Sequence, residues 1–271
     1  MRSVFYYILP LTIGLSACSG GPNGPTAAER RAAMNQGYRD QLETELRTRH
    51  VTDSLLVCIA EQINTATSQG FEYEKTEYDD LGRFRPKGMD PGDNVQRTYL
   101  RCAVDDYGRT QLICTYCGSR QFVVQQLQFT SSDGSTIQTA SIEPNDGSNY
   151  SYDIDGTHYQ SVTFAYAGRI TEGMTQDSTV LANADTDQGA LGYIAQHVDD
   201  DKLVCNMIAA NGKQQKLTLS QSLRQQMAAT YELGVLLRES IRLQQENKTA
   251  ALKISYLQSK VDQQSATNAT N

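Results

Sequence analysis

Several residue types are scarce in this chain of 271 residues, and each scarcity argues against particular classes of protein. Tryptophan is absent, and three histidines leave few imidazole ligands or general bases. Acidic residues (31) outnumber Lys and Arg (24), which gives a net charge of −7. A nucleic-acid binder needs a basic surface, so we expect no nucleic-acid partner. The mean hydropathy of −0.50 argues against a polytopic membrane protein.

The N-terminal segment has the order of a secretory signal. Arg2 is followed by an apolar run from Val4 to Leu15, which is too short to span a bilayer permanently. The run ends in Leu15-Ser16-Ala17-Cys18, which resembles the lipobox of bacterial lipoprotein precursors. The resemblance implies a signal peptide over residues 1–17, cleavage before Cys18, and acylation of its sulfur and new α-amino group.

The resemblance also implies a location. In enterobacterial lipoproteins a residue other than Asp after the lipidated Cys usually permits export to the outer membrane, and Ser19 follows here. We therefore expect a lipid-anchored protein of the cell envelope, at the outer membrane and facing the periplasm. Residues 18–25 are rich in Gly and Pro and read as a flexible tether.

Two long helices are predicted, one at each end of the mature chain. Thr26 and Glu29 fit a capping box, and apolar residues then recur every four positions, which predicts a helix over residues 26–69 with a possible break near 48–53. Thr218 and Gln221 fit a second capping box and open a helix predicted over residues 218–263. Residues 264–271 are polar and are predicted to be disordered.

The segment between the helices, residues 70–217, reads as an antiparallel β domain. Runs rich in Val, Ile, Tyr, Phe and Thr are separated by Gly-containing turn signals. The runs are 97–104, 109–117, 120–129, 135–142, 149–154, 158–167, 202–210 and 213–219. The turn signals are Asp106–Gly108, Ser132–Gly134, Asn145–Gly147, Asp155–Gly156 and Asn211–Gly212. Residues 82–94 and 175–190 read as longer loops.

The fold class predicted from these elements is α+β, with an antiparallel meander as a sandwich or partly open barrel, flanked by the two helices. The helices either pair antiparallel as a stalk, form a homo-oligomeric coiled coil, or cover the sheet. Their apolar stripes include Leu42, Leu46, Leu223, Leu237 and Ile241, which we expect to be packing surfaces.

Five cysteines remain once Cys18 is assigned to lipid: Cys58, Cys102, Cys114, Cys117 and Cys205. In an oxidising envelope this odd number predicts up to two disulfides and one thiol. A five-residue loop from Asp106 to Thr110 would set Cys102 opposite Cys114. We favour a disulfide from Cys102 to Cys114 or Cys117, and a Cys58–Cys205 bond is a weaker alternative.

Two chemical uses of these cysteines compete with the disulfides. Cys114 and Cys117 form a C-x-x-C, but a redox motif needs its first Cys at a helix N-terminus and this one ends a predicted strand. A zinc site would combine Cys102, Cys114 and Cys117 with a further Cys or His, yet one knuckle of the usual two is present. We expect neither a metal nor a cofactor.

The acidic excess lies in the β domain, where residues 70–217 carry 12 basic and 21 acidic groups. His197 precedes Asp199–Asp201, and Asp185 and Asp187 alternate with small residues upstream, so a cleft that gathers them would bind a cation or ligand. An EF-hand would need Gly at loop position six and Glu at position twelve, and counting from Asn183 both fail. His50 and His158 read as surface residues.

No motif of the common hydrolase, metalloprotease, nucleotide-binding or dinucleotide-binding classes occurs. The sequence therefore favours a non-enzymatic lipoprotein with a structural or assembly role, whose partner is another envelope protein or a second copy of itself. The alternatives are a ligand- or metal-binding lipoprotein and a C-x-x-C thiol oxidoreductase.

Overall fold

The computed structural model describes residues 25–75, 82–89, 97–118, 122–139, 141, 149–154, 156–166 and 189–269. Three helices are α1 (Ala27–Gly70), α2 (Ala190–Gln196) and α3 (Gln221–Ala269). The strands are β1 (Phe71–Glu74), β2 (Arg83–Pro86), β3 (Tyr99–Asp105), β4 (Thr110–Gly118), β5 (Val124–Thr130), β6 (Thr136–Gln138), β7 (Asn149–Ile154), β8 (Thr157–Tyr166), β9 (Val204–Ala209) and β10 (Gln214–Thr218). The α+β class is confirmed.

The strands form two antiparallel sheets that do not close into a barrel. The first has the order β1-β2-β3-β4-β8-β7 and the second the order β10-β9-β5-β6. The two antiparallel sheets agree with the predicted architecture, although the strand order is not sequential throughout: β5 and β6 belong to the second sheet, and the chain returns to the first sheet with β7 and β8. Buried side chains of both sheets, such as Leu112 and Phe129, share one core with Ile194 of α2 and Met227 of α3.

The predicted turns account for four hairpins. Gly108, Gly134, Gly156 and Gly212 have φ values of +70° or more, a region that glycine adopts without strain. Each connects consecutive antiparallel strands. The Asn145–Gly147 signal and most of the 175–190 segment lie outside the described residues.

Of the two capping boxes predicted at the helix N-termini, one is confirmed and the other is wrong. Thr26 donates its backbone N–H to Glu29 at 2.6 Å, and Glu29 donates its own to Thr26 Oγ1 at 3.2 Å, so the first capping box is confirmed. The second is wrong: Thr218 pairs with Val204 at the end of β10, and Ser220 Oγ accepts the N–H of Leu223 at 3.2 Å instead. Helix α1 runs through residues 48–53 without a break, and α3 continues to Ala269 through most of the tail predicted to be disordered.

Three short elements of the structure are not predicted by the sequence patterns. Strand β1 follows α1 directly, β2 lies within the expected 82–94 loop, and α2 follows the expected 175–190 loop. Both strands have four residues, and α2 has seven. Runs this short carry almost no periodicity, so their pairing partners rather than their own pattern decide them.

Contacts between residues divide the chain into two compact units. The described part of the smaller unit holds α1 up to Leu46 and α3 from Lys253, and Lys253 Nζ lies 3.4 Å from Glu45 Oε1. The larger unit, Arg47–Leu252, holds both sheets and the remaining parts of the helices.

Within the larger unit the helices both pair and cover a sheet. Asn247 of α3 hydrogen-bonds Asp53 of α1, and Ile63 of α1 packs on the cluster that contains Leu233 of α3. Residues later in α1 contact residues earlier in α3, so the two helices are antiparallel there. The same cluster includes Val104 of β3, so this helix pair also covers the first sheet.

Candidate functional site

The predicted lipidation site and part of the predicted acidic site lie outside the described residues. These are Cys18, Asn183, Asp185 and Asp187. The candidate positions with a defined geometry are the other five cysteines, the histidines and Asp199.

Three of the five described cysteines are buried between the sheets and α3. Cys102 Sγ lies 3.1 Å from Thr230 Oγ1 and 3.7 Å from Met89 Sδ. Cys114 Sγ lies 3.7 Å from Met207 Sδ on the opposite sheet. Burial raises the pKa of Cys102 and of Cys114 to about 12, and it raises that of Cys205 as well. These thiols stay protonated at neutral pH and are therefore poor nucleophiles.

All five described cysteines are free thiols in this structure. The expected Cys102–Cys114 geometry is wrong, because the β3–β4 register sets Cys102 opposite Leu112 and Leu100 opposite Cys114. The ladder closes on Val104 and Thr110, so the five enclosed residues are 105–109 rather than 106–110, and this displacement by one residue moves Cys114 two positions away from Cys102. Cys58 is exposed on α1 while Cys205 is fully buried on β9, so the expected bond between these two is not formed.

The C-x-x-C motif lies in the middle of a sheet and not at a helix end. Cys114 and Cys117 both belong to β4, which pairs with β8 along its full length. Three residues of a strand span about 10 Å, which exceeds the Cα separation of any disulfide. Cys114 is buried and Cys117 is half-buried, as expected for side chains on opposite faces of a strand. Joining them would require the strand to break.

His197 lies near two carboxylates: Asp133, which the sequence did not suggest, and Asp200 of the expected Asp199–Asp201 run. It is the C-cap residue that follows α2, and its Nδ1 lies 2.9 Å from the carbonyl oxygen of Tyr193. Its Nε2 lies 3.8 Å from Asp133 Oδ2 in the β5–β6 turn. Asp200 accepts the N–H of Ser132 in the same turn at 2.7 Å. Asp199, the expected partner, is exposed.

The two carboxylates near His197 act as hydrogen-bond acceptors for the β5–β6 turn. Hydrogen bonds from Ser131 and Ser135 hold the pKa of Asp133 well below its ordinary value. The N–H of Ser132 does the same for the pKa of Asp200. Their lone pairs are thus engaged by groups of the β5–β6 turn. Across the described residues, no three His, Cys, Asp or Glu side chains come together as metal ligands would.

The other two histidines take no part in a cluster of this kind. His158 Nδ1 lies 3.0 Å from Asp153 Oδ1, its directly opposed residue on β7. His50 is exposed on α1. His50 agrees with the surface location predicted from the sequence, whereas the His158 side chain is only 12% exposed, so that prediction is wrong for His158.

A cavity of about 350 Å³ opens where β2 and β3 diverge. These strands pair only at Arg83–Asp105 and Phe84–Val104 among the described residues, and the chain then turns away at Gly88. Met89 lies beside β3 instead, with its Sδ 3.1 Å from the backbone nitrogen of Cys102.

The lining of this cavity combines charge with apolar surface. Glu72 and Glu74 of β1 face Arg85 of β2, whose Nη1 lies 2.8 Å from Glu74. The remaining wall includes Arg101, Met89 and Ile113. A volume of this size suits a small polar molecule. Cys102 also lines the cavity, but a pKa near 12 excludes it as a nucleophile at neutral pH.

The helix stripes divide between packing and exposure. In the larger unit Leu223 and Leu237 pack against buried clusters, and Ile241 is half-buried. In the smaller unit Leu42 is half-buried and Leu46 is 48% exposed. The expectation of packing surfaces thus holds for the α3 residues. Further apolar residues of α1 in the larger unit, Val51, Leu55 and Val57, are exposed by 58%, 47% and 61%.

Sequence reasoning missed the cavity and the Asp133–His197 contact. Charged and aromatic residues alternate over 71–74 and 83–85, but three or four positions are too few to distinguish a strand from a loop. Nothing local links residue 133 to residue 197, because that contact depends on how the second sheet packs on α2.

Within the described residues, no helix contains a stretch apolar enough to cross a lipid bilayer. No known protein-family model matches the chain, and no curated protein matches its sequence.

Proposed function

We propose that this chain is a lipid-anchored envelope lipoprotein with a structural or assembly role through protein–protein interaction. The lipobox at Leu15–Cys18 supports the anchor. Acyl chains at both the sulfur and the amino group of Cys18 would hold the protein stably, since one chain alone binds a membrane only marginally. The outer membrane, with the protein facing the periplasm, is the location we propose.

The observation that carries the interaction role is the exposed apolar surface of α1. Val51 and Leu55 lie one turn apart on one face, Val57 lies nearby on a different face, and each is about half exposed or more. Scattered exposed apolar residues are ordinary, but a concentration on one helix is typical of an interaction surface. The buried thiols and the hydrogen-bonded carboxylates near His197 offer no competing catalytic centre among the described residues.

A second candidate function is ligand binding, and the cavity between β2 and β3 favours it. Its four charged side chains, Glu72, Glu74, Arg85 and Arg101, are balanced in sign, and Met89 and Ile113 add apolar wall. A small zwitterionic or polar molecule would match such a lining better than a highly charged one. This site replaces the acidic cleft that the sequence suggested. The thiol-oxidoreductase alternative loses support because Cys114 and Cys117 are held apart on β4.

The test of the proposed function uses the full-length protein and a Cys18→Ser variant. Metabolic labelling with an alkynyl fatty acid should mark the native protein and not the variant, and the native protein should fractionate with the outer membrane. In-cell cross-linking followed by purification should then recover a defined set of envelope proteins, or a second copy, with less recovered from Cys18→Ser. Unlabelled native protein would refute the anchor.

Recovery of nothing above background from labelled cells would refute the assembly role. Binding of small polar molecules to the soluble Cys18→Ser protein, weakened by Arg85→Ala, would then favour the second candidate.

A further inference from the structure

We propose that two copies of this protein associate in parallel through one exposed face of α1, with Cys58 of one copy against Cys58 of the other. The face consists of Val51, Leu55, Cys58, Gln62 and Thr65, which we call the α1 seam. The proposal rests on the lipid anchor of the proposed function for the direction of the two helices, and it adds the partner, a second copy of this chain.

The spacing of the seam is the first observation. Successive seam positions are four, three, four and three residues apart, which is the 3.5-residue repeat of a two-helix seam. All five side chains are exposed. The neighbouring face of the same helix is already used, since Thr52 is buried and Ile63 and Ala66 pack toward Leu233. The seam is therefore a separate face, which no part of the chain that the structure describes covers.

The absence of charge on the seam favours a second copy over a different protein. In a parallel, in-register pair each seam residue faces its own equivalent, so a charged residue would meet a like charge. The segment 51–65 contains two charged residues, Asp53 and Glu61, and both lie off the seam. A different partner would impose no such restriction, because it can supply the opposite charge.

The length of chain before α1 fixes the direction. Helix α1 begins at Ala27, nine residues after Cys18. Nine extended residues reach at most about 30 Å, so two copies anchored in one leaflet start α1 at similar heights. Their helices then run the same way, which gives the in-register parallel arrangement rather than an antiparallel one.

Cys58 supplies the direct readout. It is the one exposed cysteine among the five that are described, and it occupies the middle position of the seam. The seam spans about 22 Å of helix at 1.5 Å per residue, which places the interface below the ~1,200 Å² of a stable complex. We therefore expect the association to depend on the raised local concentration at a membrane.

The experiment is disulfide trapping in intact membranes with copper–phenanthroline. Each bond joins two Cys58 thiols, which lose two protons and two electrons, and dioxygen is the final electron acceptor. The native full-length protein should give a disulfide-linked dimer. In a Cys58→Ser background, Val51→Cys and Thr65→Cys should restore the dimer because each is one heptad from Cys58. Val57→Cys is the matched control: Val57 is 61% exposed but lies off the seam, so it should give at least about tenfold less dimer.

Introducing a charge on the seam gives an independent test. Leu55→Lys in the native background should reduce the Cys58 dimer about tenfold, because it sets two ammonium groups against each other. Leu55 is 47% exposed, so the variant should keep its thermal stability. Glu61→Lys, off the seam, is the control and should leave the dimer unchanged.

The outcomes separate the seam from the anchor. Equal trapping at positions 57 and 58, no trapping at 58, or a disulfide from Cys58 to a different protein each overturns the seam, whatever the fatty-acid labelling shows. If positions 51, 58 and 65 give the disulfide-linked dimer and position 57 does not, but the native protein takes up no fatty acid, the anchor is refuted and the seam is supported. With both correct, Cys18→Ser lowers the trapped fraction.

Discussion

Replacing Gly108 by alanine tests how closely the β3–β4 turn approaches helix α3. Gly108 has φ +75°, and a Cβ built on it would lie 2.5 Å from the carbonyl oxygen of Gly234. The approach is mutual, because a Cβ on Gly234 would lie 3.0 Å from the carbonyl oxygen of Gly108. Arg238 Nη1 donates to that same Gly108 oxygen at 2.5 Å, which ties the turn to the helix.

The expected cost has two parts. An alanine at positive φ costs about 1 kcal/mol through backbone strain. Overpacking against a backbone atom that cannot rotate away adds about 1–3 kcal/mol. We therefore expect Gly108→Ala to lower the free energy of unfolding by about 2–4 kcal/mol. The melting temperature of a unit of this size should fall by about 2–4 °C for each of those kilocalories.

Two other glycines are matched controls. Gly134 and Gly212 have φ +85° and +77°, and a Cβ on either meets nothing within 4 Å. Alanine there should cost only the ~1 kcal/mol of backbone strain. Urea unfolding of the soluble Cys18→Ser form gives all three values. The close approach of turn and helix is refuted if Gly108→Ala destabilises no more than the two controls.

Three further predictions concern the larger unit. Cys58 should react with a thiol reagent in the native protein, whereas Cys102, Cys114 and Cys205 should react only on unfolding, because they are buried and their pKa values are raised; labelling of Cys114 at the rate of Cys58 would contradict this. Gln160→Leu should lower the free energy of unfolding by about 2–4 kcal/mol, since the buried Gln160 amide hydrogen-bonds both the N–H and the carbonyl of Val124, at 2.8 and 3.1 Å. Gln111→Leu, at a half-exposed position, is the control in the same urea assay, and an equal loss of stability in the two variants would refute the argument. The lowered pKa of Asp133 means that its ionised form stabilises the turn above about pH 4 and that this stabilisation is lost as the pH falls below that value. The stability difference between native protein and Asp133→Asn should therefore shrink on acidification, and a difference that stays constant in thermal melts from about pH 6 to about pH 3 would refute it.

Much of the fold follows from local chemistry. The reciprocal hydrogen bonds of Thr26 and Glu29 start α1 where the sequence predicted, because a capping box needs only residues three apart. The glycines at 108, 134, 156 and 212 make turns because their backbone conformation disfavours other residues. Thr218 was misassigned for the opposite reason: its place in the ladder with Val204 is a non-local interaction that displaces the cap to Ser220.

The candidate sites divide in the same way. The tetrapeptide that resembles a lipobox, the C-x-x-C and the spacing of the proposed α1 seam each lie within a short stretch of chain, so these patterns can be recognised from the sequence alone. The sequence did not determine that Cys102 faces Leu112, that β2 leaves β3 to open a cavity, or that Asp133 meets His197. These depend on strand register and on the packing of two sheets, which join residues far apart in the chain. A shift of register moves every side chain to a new neighbour at little local cost, so only the tertiary structure decided them.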